Sequence, residues 1–204
     1  MNSLLALPLR RFQREATWLT AEFLRAATPR PRPPLVRQSE LCCEMTVIRL
    51  HDAWARFCRE TVIRSACGNT VTLSGTPLGP APGITARSLV IPTLIAKYPK
   101  RRVEPRWADA MQCMDAAQRL RVSNFSTIAA ALGAAGSPAE SLRIVRNFYA
   151  HRGHDTALAA TGVGVFLRHN HPFVVDLTSY TTGGARVIEF WVTTLLNIAR
   201  AAVQ

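Results

Sequence analysis

Between residues 9 and 27, apolar side chains recur at helical spacing (Phe12, Ala16, Leu19, Phe23) with arginines and glutamates between them. That is the pattern of a helix with one buried face. The helix must stop at Thr28-Pro29-Arg30-Pro31-Arg32-Pro33-Pro34, which reads as a stiff connector. A longer helical pattern covers residues 36–67, with Leu41, Met45, Ile48, Trp54, Phe57 and Ile63 as its apolar stripe and Gly68-Asn69 as its stop. Such a length suits the spine of a bundle or a dimer interface. From 69 to 105 the pattern breaks. Thr70-Val71-Thr72-Leu73, a Gly/Pro-rich stretch to Gly83, and Leu89-Val90-Ile91 before Pro92 predict an irregular insertion with a short β-ribbon. Helical periodicity returns over 107–122 and 126–132, the second stopped by Gly133. Ser137-Pro138-Ala139-Glu140 has the residues of a capped helix start and predicts a helix over 138–152 ended by Gly153. A short helical piece near 155–160 and a last helix over 185–203 complete an all-α helical bundle. Residues 1–204 are expected to form one domain, with residues 1–35 as N-terminal helix and linker and 69–105 as the insertion.

Composition adds a basic bias. The 204 residues include 25 basic and 13 acidic side chains, a formal net charge of +12. A polyanion such as nucleic acid is the natural partner of that charge. All but two of the basic residues (Lys97, Lys100) are arginine, a skew that coding-sequence composition also produces, so charge is only supporting evidence. The five cysteines are odd in number and form no CxxC pair, which argues against a zinc ribbon or disulfide framework. Cys42 and Cys58 are expected to be buried thiols. At the N-terminus Arg10, Arg11 and Arg14 follow the apolar opening instead of preceding it, the reverse of a secretory signal. No apolar run is long enough to span a bilayer, and a cytoplasmic, non-membrane protein is expected.

The chemistry concentrates in Leu142-Arg143-Ile144-Val145-Arg146-Asn147-Phe148-Tyr149-Ala150-His151-Arg152. An arginine holds phosphate through a planar fork of donors. A histidine takes and gives protons near neutrality. Residues four apart share a helix face, so Arg143, Asn147 and His151 form one stripe and Arg146 lies on its flank, about 140° from His151. His151 stands at the helix C-terminus, where the terminal carbonyls favour a cation. One helix cannot surround a phosphodiester with side chains that diverge so widely. Two copies across a two-fold axis can, which points to a homodimer.

Arg146-Asn147-x-x-x-His151 near the end of an all-α chain resembles the Arg-x4–6-His signature of HEPN domains (higher eukaryotes and prokaryotes nucleotide-binding). The likeness covers roughly residues 36–204, with 69–105 as an insertion. It implies a dimeric helical bundle and metal-independent endoribonuclease activity. Many such proteins are toxins or defence effectors with an antitoxin or regulatory partner; others have lost catalysis and only bind RNA, a nucleotide or a protein. Carried over, Arg146 and His151 would be catalytic, with Asn147 orienting the pair or contacting phosphate. Arg143, Arg152 and Tyr149 are candidates for RNA contact, Tyr149 being equally suited to packing from its place inside the motif. Some toxin members carry a tyrosine two residues after the histidine for modification by a partner enzyme; this chain has Gly153 there.

Other constellations are weaker. His151, His154, His169 and His171, with Asp155 and Asp176, offer metal-ligand types, but Gly153 interrupts the helix that would align the first two. No cofactor or metal is expected. His51 and Asp52 on the long helix are neighbours in sequence and so not a dyad by themselves, although Asp52 or Glu60 could steady the motif from across the bundle. Gly162-Val163-Gly164 lacks the rest of a dinucleotide fingerprint. Trp18, Trp54, Trp107 and Trp191 are expected to anchor the core.

Overall fold

The computed structural model describes residues 3–27, 37–98, 103–134, 137–165 and 172–204. Residues 28–36, which include the Pro/Arg connector, residues 99–102, and His169 and His171 lie outside them. Eight α-helices dominate the described residues, so the fold is all-α with a small β insertion: α1 (Ala6–Ala27), α2 (Arg37–Cys67), α3 (Val90–Ala96), α4 (Ala110–Leu120), α5 (Phe125–Leu132), α6 (Ala139–His151), α7 (His154–Thr161) and α8 (Val187–Ala202). The chain, expected as one domain, divides into two compact units. Residues 1–13, 54–137 and 196–204 form one, and 14–53 and 138–195 the other, so α1, α2 and α8 each contribute to both.

In the first unit the rings of Phe12, Trp54 and Phe57 meet with centroids 5.5–5.6 Å apart. Cys58, Cys113, Ile128 and Leu132 extend this core. The insertion contains the expected ribbon, β2 (Thr70–Val71) paired antiparallel with β3 (Pro77–Leu78). A further strand, β1 (Ser3–Leu4), runs parallel to β2 with Ser3 opposite Thr70. Leu73 N–H also bonds Val203 C=O at 2.8 Å, which ties the ribbon to the end of α8. Where the sequence pattern predicts irregular structure around Pro92, the structure has α3. Proline lacks an N–H, but in a first helical turn that N–H has no intrahelical acceptor, so the ring is tolerated. Asp109 caps α4 by accepting Gln112 N–H at 3.1 Å, so this helix starts three residues after the expected 107.

In the second unit, Phe12's successors on the α1 stripe (Ala16, Leu19, Phe23) are all buried, as their spacing predicts. The first half of α2 departs from expectation. Leu41 and Met45 are 47% and 53% exposed, while Cys43, Glu44, Val47 and Leu50 turn inward. The helix is thus rotated from the phase that hydrophobicity alone favours. Cys43 instead of Cys42 is the buried thiol; its Sγ contacts Phe23 C=O at 3.7 Å, and burial pushes its pKa up to about 12. Trp18 is not a core anchor, being 48% exposed with the Arg49 guanidinium 5.0 Å above its ring. Trp54, Trp107 and Trp191 are buried as expected.

Candidate functional site

The motif helix α6 packs by a simple division of faces. Leu142, Val145, Phe148 and Tyr149 are buried, Arg143, Arg146 and Asn147 are half-buried, and Ala150, His151 and Arg152 are exposed. The apolar side chains recur at i, i+3, i+6 and i+7 and leave the opposite face for the polar motif. The helix does not end on glycine. Arg152 itself takes the left-handed conformation (φ 53°) that terminates α6, and its N–H bonds Phe148 C=O at 2.8 Å. Gly153 is extended and opens α7.

Arg146 sits at the edge of the buried face. Its Nε is enclosed without a hydrogen-bond partner, and Nη1 donates a long 3.4 Å bond to Asn147 Oδ1. The structure therefore brings this expected pair together. His151 lies farther round the exposed side, in keeping with its offset from Arg146 on the helix.

Another histidine, His51 on α2, lies within the electrostatic reach of Arg146. The His51 side chain is 14% exposed, with Nδ1 3.4 Å from Asp52 Oδ1 and Nε2 enclosed without a partner. Burial, aided by the positive charges of Arg146 and Arg143, lowers its pKa below the usual histidine range despite the contact with Asp52. His51 is thus neutral at pH 7. In the tautomer that donates Nδ1–H to Asp52, Nε2 carries the lone pair of a base. As helix neighbours His51 and Asp52 are not expected to form a dyad, yet the structure pairs them at 3.4 Å, and the arginine charges acting on His51 come from a helix distant in the chain. The local signal was its spacing: it stands four residues after Val47 and three before Trp54, both buried, and so must face inward.

The three residues expected to touch RNA fare differently. Arg143 pairs with Glu140 one turn earlier, Nε to Oε2 at 2.7 Å and Nη2 to Oε1 at 2.5 Å. Arg152 turns onto the buried carboxylate of Glu44 and lies over the rings of Phe148 and Tyr149 at 5.2 and 5.5 Å. Tyr149 is 6% exposed and its hydroxyl has no hydrogen-bond partner. Burial, with the Glu44 charge second, raises its pKa well above 10. Tyr149 is thus a packing residue, while Arg152 pairs with Glu44 and keeps part of its side chain exposed.

The arrangement therefore combines a part-buried guanidinium, an amide bonded to it, a neutral imidazole on α2 and an exposed histidine on α6. Such a set suits proton transfer beside a bound phosphodiester. Among the described residues no group of three or more His, Cys, Asp or Glu side chains is placed to hold a metal ion. No described helix is long and apolar enough to cross a membrane. Comparison of the chain with protein-family models, curated proteins and solved structures finds no match.

Proposed function

We propose that the protein is a metal-independent endoribonuclease of the HEPN type, acting as a homodimer, with a toxin or defence-effector role. The observation that carries this reading is a neutral His51 on α2, its Nε2 enclosed and unpartnered, within the electrostatic reach of Arg146 on α6, the helix that also carries His151. In the proposed reaction the 2′-oxygen of one ribose attacks the adjacent phosphorus and the bond to the 5′-oxygen breaks. A histidine takes the 2′-hydroxyl proton and a histidine returns one to the departing 5′-oxygen. The products are a 2′,3′-cyclic phosphate and a 5′-hydroxyl, with no water consumed and no metal required. Arg146 neutralises the nonbridging oxygens as charge builds there, and Asn147 fixes its direction.

Dimerisation is supported by the surface of α2. Leu41, Met45 and Ile48 recur at i, i+4 and i+7, and the first two are about half exposed. An apolar strip on the helix that carries His51 is the kind of surface a second copy covers. The two-fold then sets two motif helices around one RNA strand. Incubation of a mixed RNA with the protein in EDTA tests the reading: the Arg146→Ala protein should be inactive. RNA retained without cleavage by the wild type would identify instead a catalytically silent HEPN-fold module that binds RNA, a nucleotide or a partner protein.

A further inference from the structure

In the first unit, the end of α2 and the segment before α3 enclose an open cavity of about 390 Å³. Arg64, Cys67 and Asn69 form one wall, and Thr85 and Arg87 the other. The walls are fixed by backbone packing. Gly68 ends α2 with φ +64°, and a Cβ there would stand 2.4 Å from Pro80 N. Ala81 N–H bonds Ala66 C=O at 2.8 Å, which anchors the segment that carries Thr85 and Arg87.

Charge at this cavity is one-sided. The ionised side chains lining it are the two arginines. Behind them, Glu60 accepts from Arg87 Nη2 at 2.5 Å and lies 3.4 Å from Arg64 Nε. One carboxylate does not neutralise two guanidiniums, so the wall keeps a net positive charge. Arg87 is also half-exposed, at 51%, and has freedom to turn into the cavity. Cys67 adds no negative charge, because burial outweighs the arginines and raises its pKa. A guanidinium pair favours an oxyanion with several acceptor oxygens, which each fork can engage through two donors. The volume lies at the small end of the range for metabolite sites, about 300–1,000 Å³. Asn69 and Thr85 supply neutral donors and acceptors for the rest of such a ligand.

We infer that this cavity binds a phosphorylated small molecule of about nucleotide size, with Arg64 and Arg87 on the phosphoryl group and Asn69 and Thr85 on the neutral part. Glu60 competes with the ligand for both arginines. The site shares no residue with the proposed RNA-cleaving set and does not depend on that function.

The test is calorimetric titration of the full chain with adenosine 5′-monophosphate, inorganic phosphate and adenosine. The nucleotide should bind, inorganic phosphate should compete with it, and adenosine should not bind. Arg87→Gln should weaken binding by at least about tenfold, the effect of losing a charge-assisted hydrogen bond. Glu60→Gln should tighten it several-fold by releasing the arginines. Arg146→Ala should leave it unchanged. Bound nucleotide should also slow alkylation of Cys67. Absence of nucleotide binding, equal binding of adenosine, or an Arg87→Gln protein that is folded by its urea midpoint yet binds normally would each overturn the inference.

Discussion

Replacing Arg152 by alanine isolates the contribution of the Glu44 clamp at the end of the motif helix. Glu44 is 4% exposed, and the Arg152 side chain 44%. Removing the partner of a fully buried charge costs about 3–5 kcal/mol, whereas an exposed pair contributes about 0–1 kcal/mol. This pair has one buried member and one half-exposed member, so an intermediate value of about 2 kcal/mol follows. Loss of the guanidinium over Phe148 and Tyr149 adds roughly 0.5–1 kcal/mol. The total of about 2–3 kcal/mol should appear as a lower midpoint in equilibrium urea unfolding with an unchanged slope. Arg152→Gly provides an internal control, because glycine relieves the left-handed φ of 53° and should recover about 1 kcal/mol relative to alanine. In a Glu44→Leu background the same Arg152→Ala change should cost under about 1 kcal/mol, since no buried charge is left behind. An Arg152→Ala protein within about 0.5 kcal/mol of wild type, the range of an ordinary surface substitution, would refute the clamp. So would a glycine variant less stable than the alanine one.

Three further predictions concern the histidine, the apolar strip and the turn. The lowered pKa of His51 means that the unfolded chain binds its proton first; stability is therefore intact above pH ~6.5, the ordinary histidine value, and falls as acidification proceeds towards the folded pKa. His51→Gln should shrink the difference between urea midpoints at pH 7.5 and 5.5, and an unchanged difference would count against a buried neutral imidazole. Met45→Glu, at a half-exposed position, should leave the fold intact but halve the mass measured by light scattering; a retained dimer would remove the α2 strip as its interface. Gly68→Ala should cost at least about 2 kcal/mol, from positive φ and the collision with Pro80, and a neutral result in thermal melts would contradict the turn geometry.

Much of the helical fold was legible in the sequence, because periodicity reports burial directly. The 36–67 pattern became Arg37–Cys67, and the proposed motif does lie on one helix, Ala139–His151. What hydrophobicity could not decide was helix phase where polar groups are buried on purpose. Glu44 turns inward because Arg152 meets it there, and Leu41 and Met45 turn outward as a consequence. Tyr149 packs as its place inside the motif allows, whereas the same long-range pairing hid the contact of Arg152 with Glu44. It also hid His51, whose neutrality depends on burial and on arginines of α6. The parallel pairing of β1 with β2 joins two-residue strands far apart in the chain, and so short an element has no period to read. At Arg152 a left-handed helix terminus fell on an arginine one residue before the glycine that composition favoured for it.

The most direct test of the central proposal is cleavage of a mixed RNA in EDTA by wild type, Arg146→Ala, His51→Gln and His151→Ala proteins, each matched for folding by circular dichroism. The account predicts 2′,3′-cyclic phosphate and 5′-hydroxyl ends from the wild type. It also predicts at least about a hundredfold slower cleavage by the Arg146 and histidine variants, in keeping with loss of an acid–base or electrostatic group. Full activity in the Arg146→Ala protein, or cleavage that vanishes with EDTA, would contradict it.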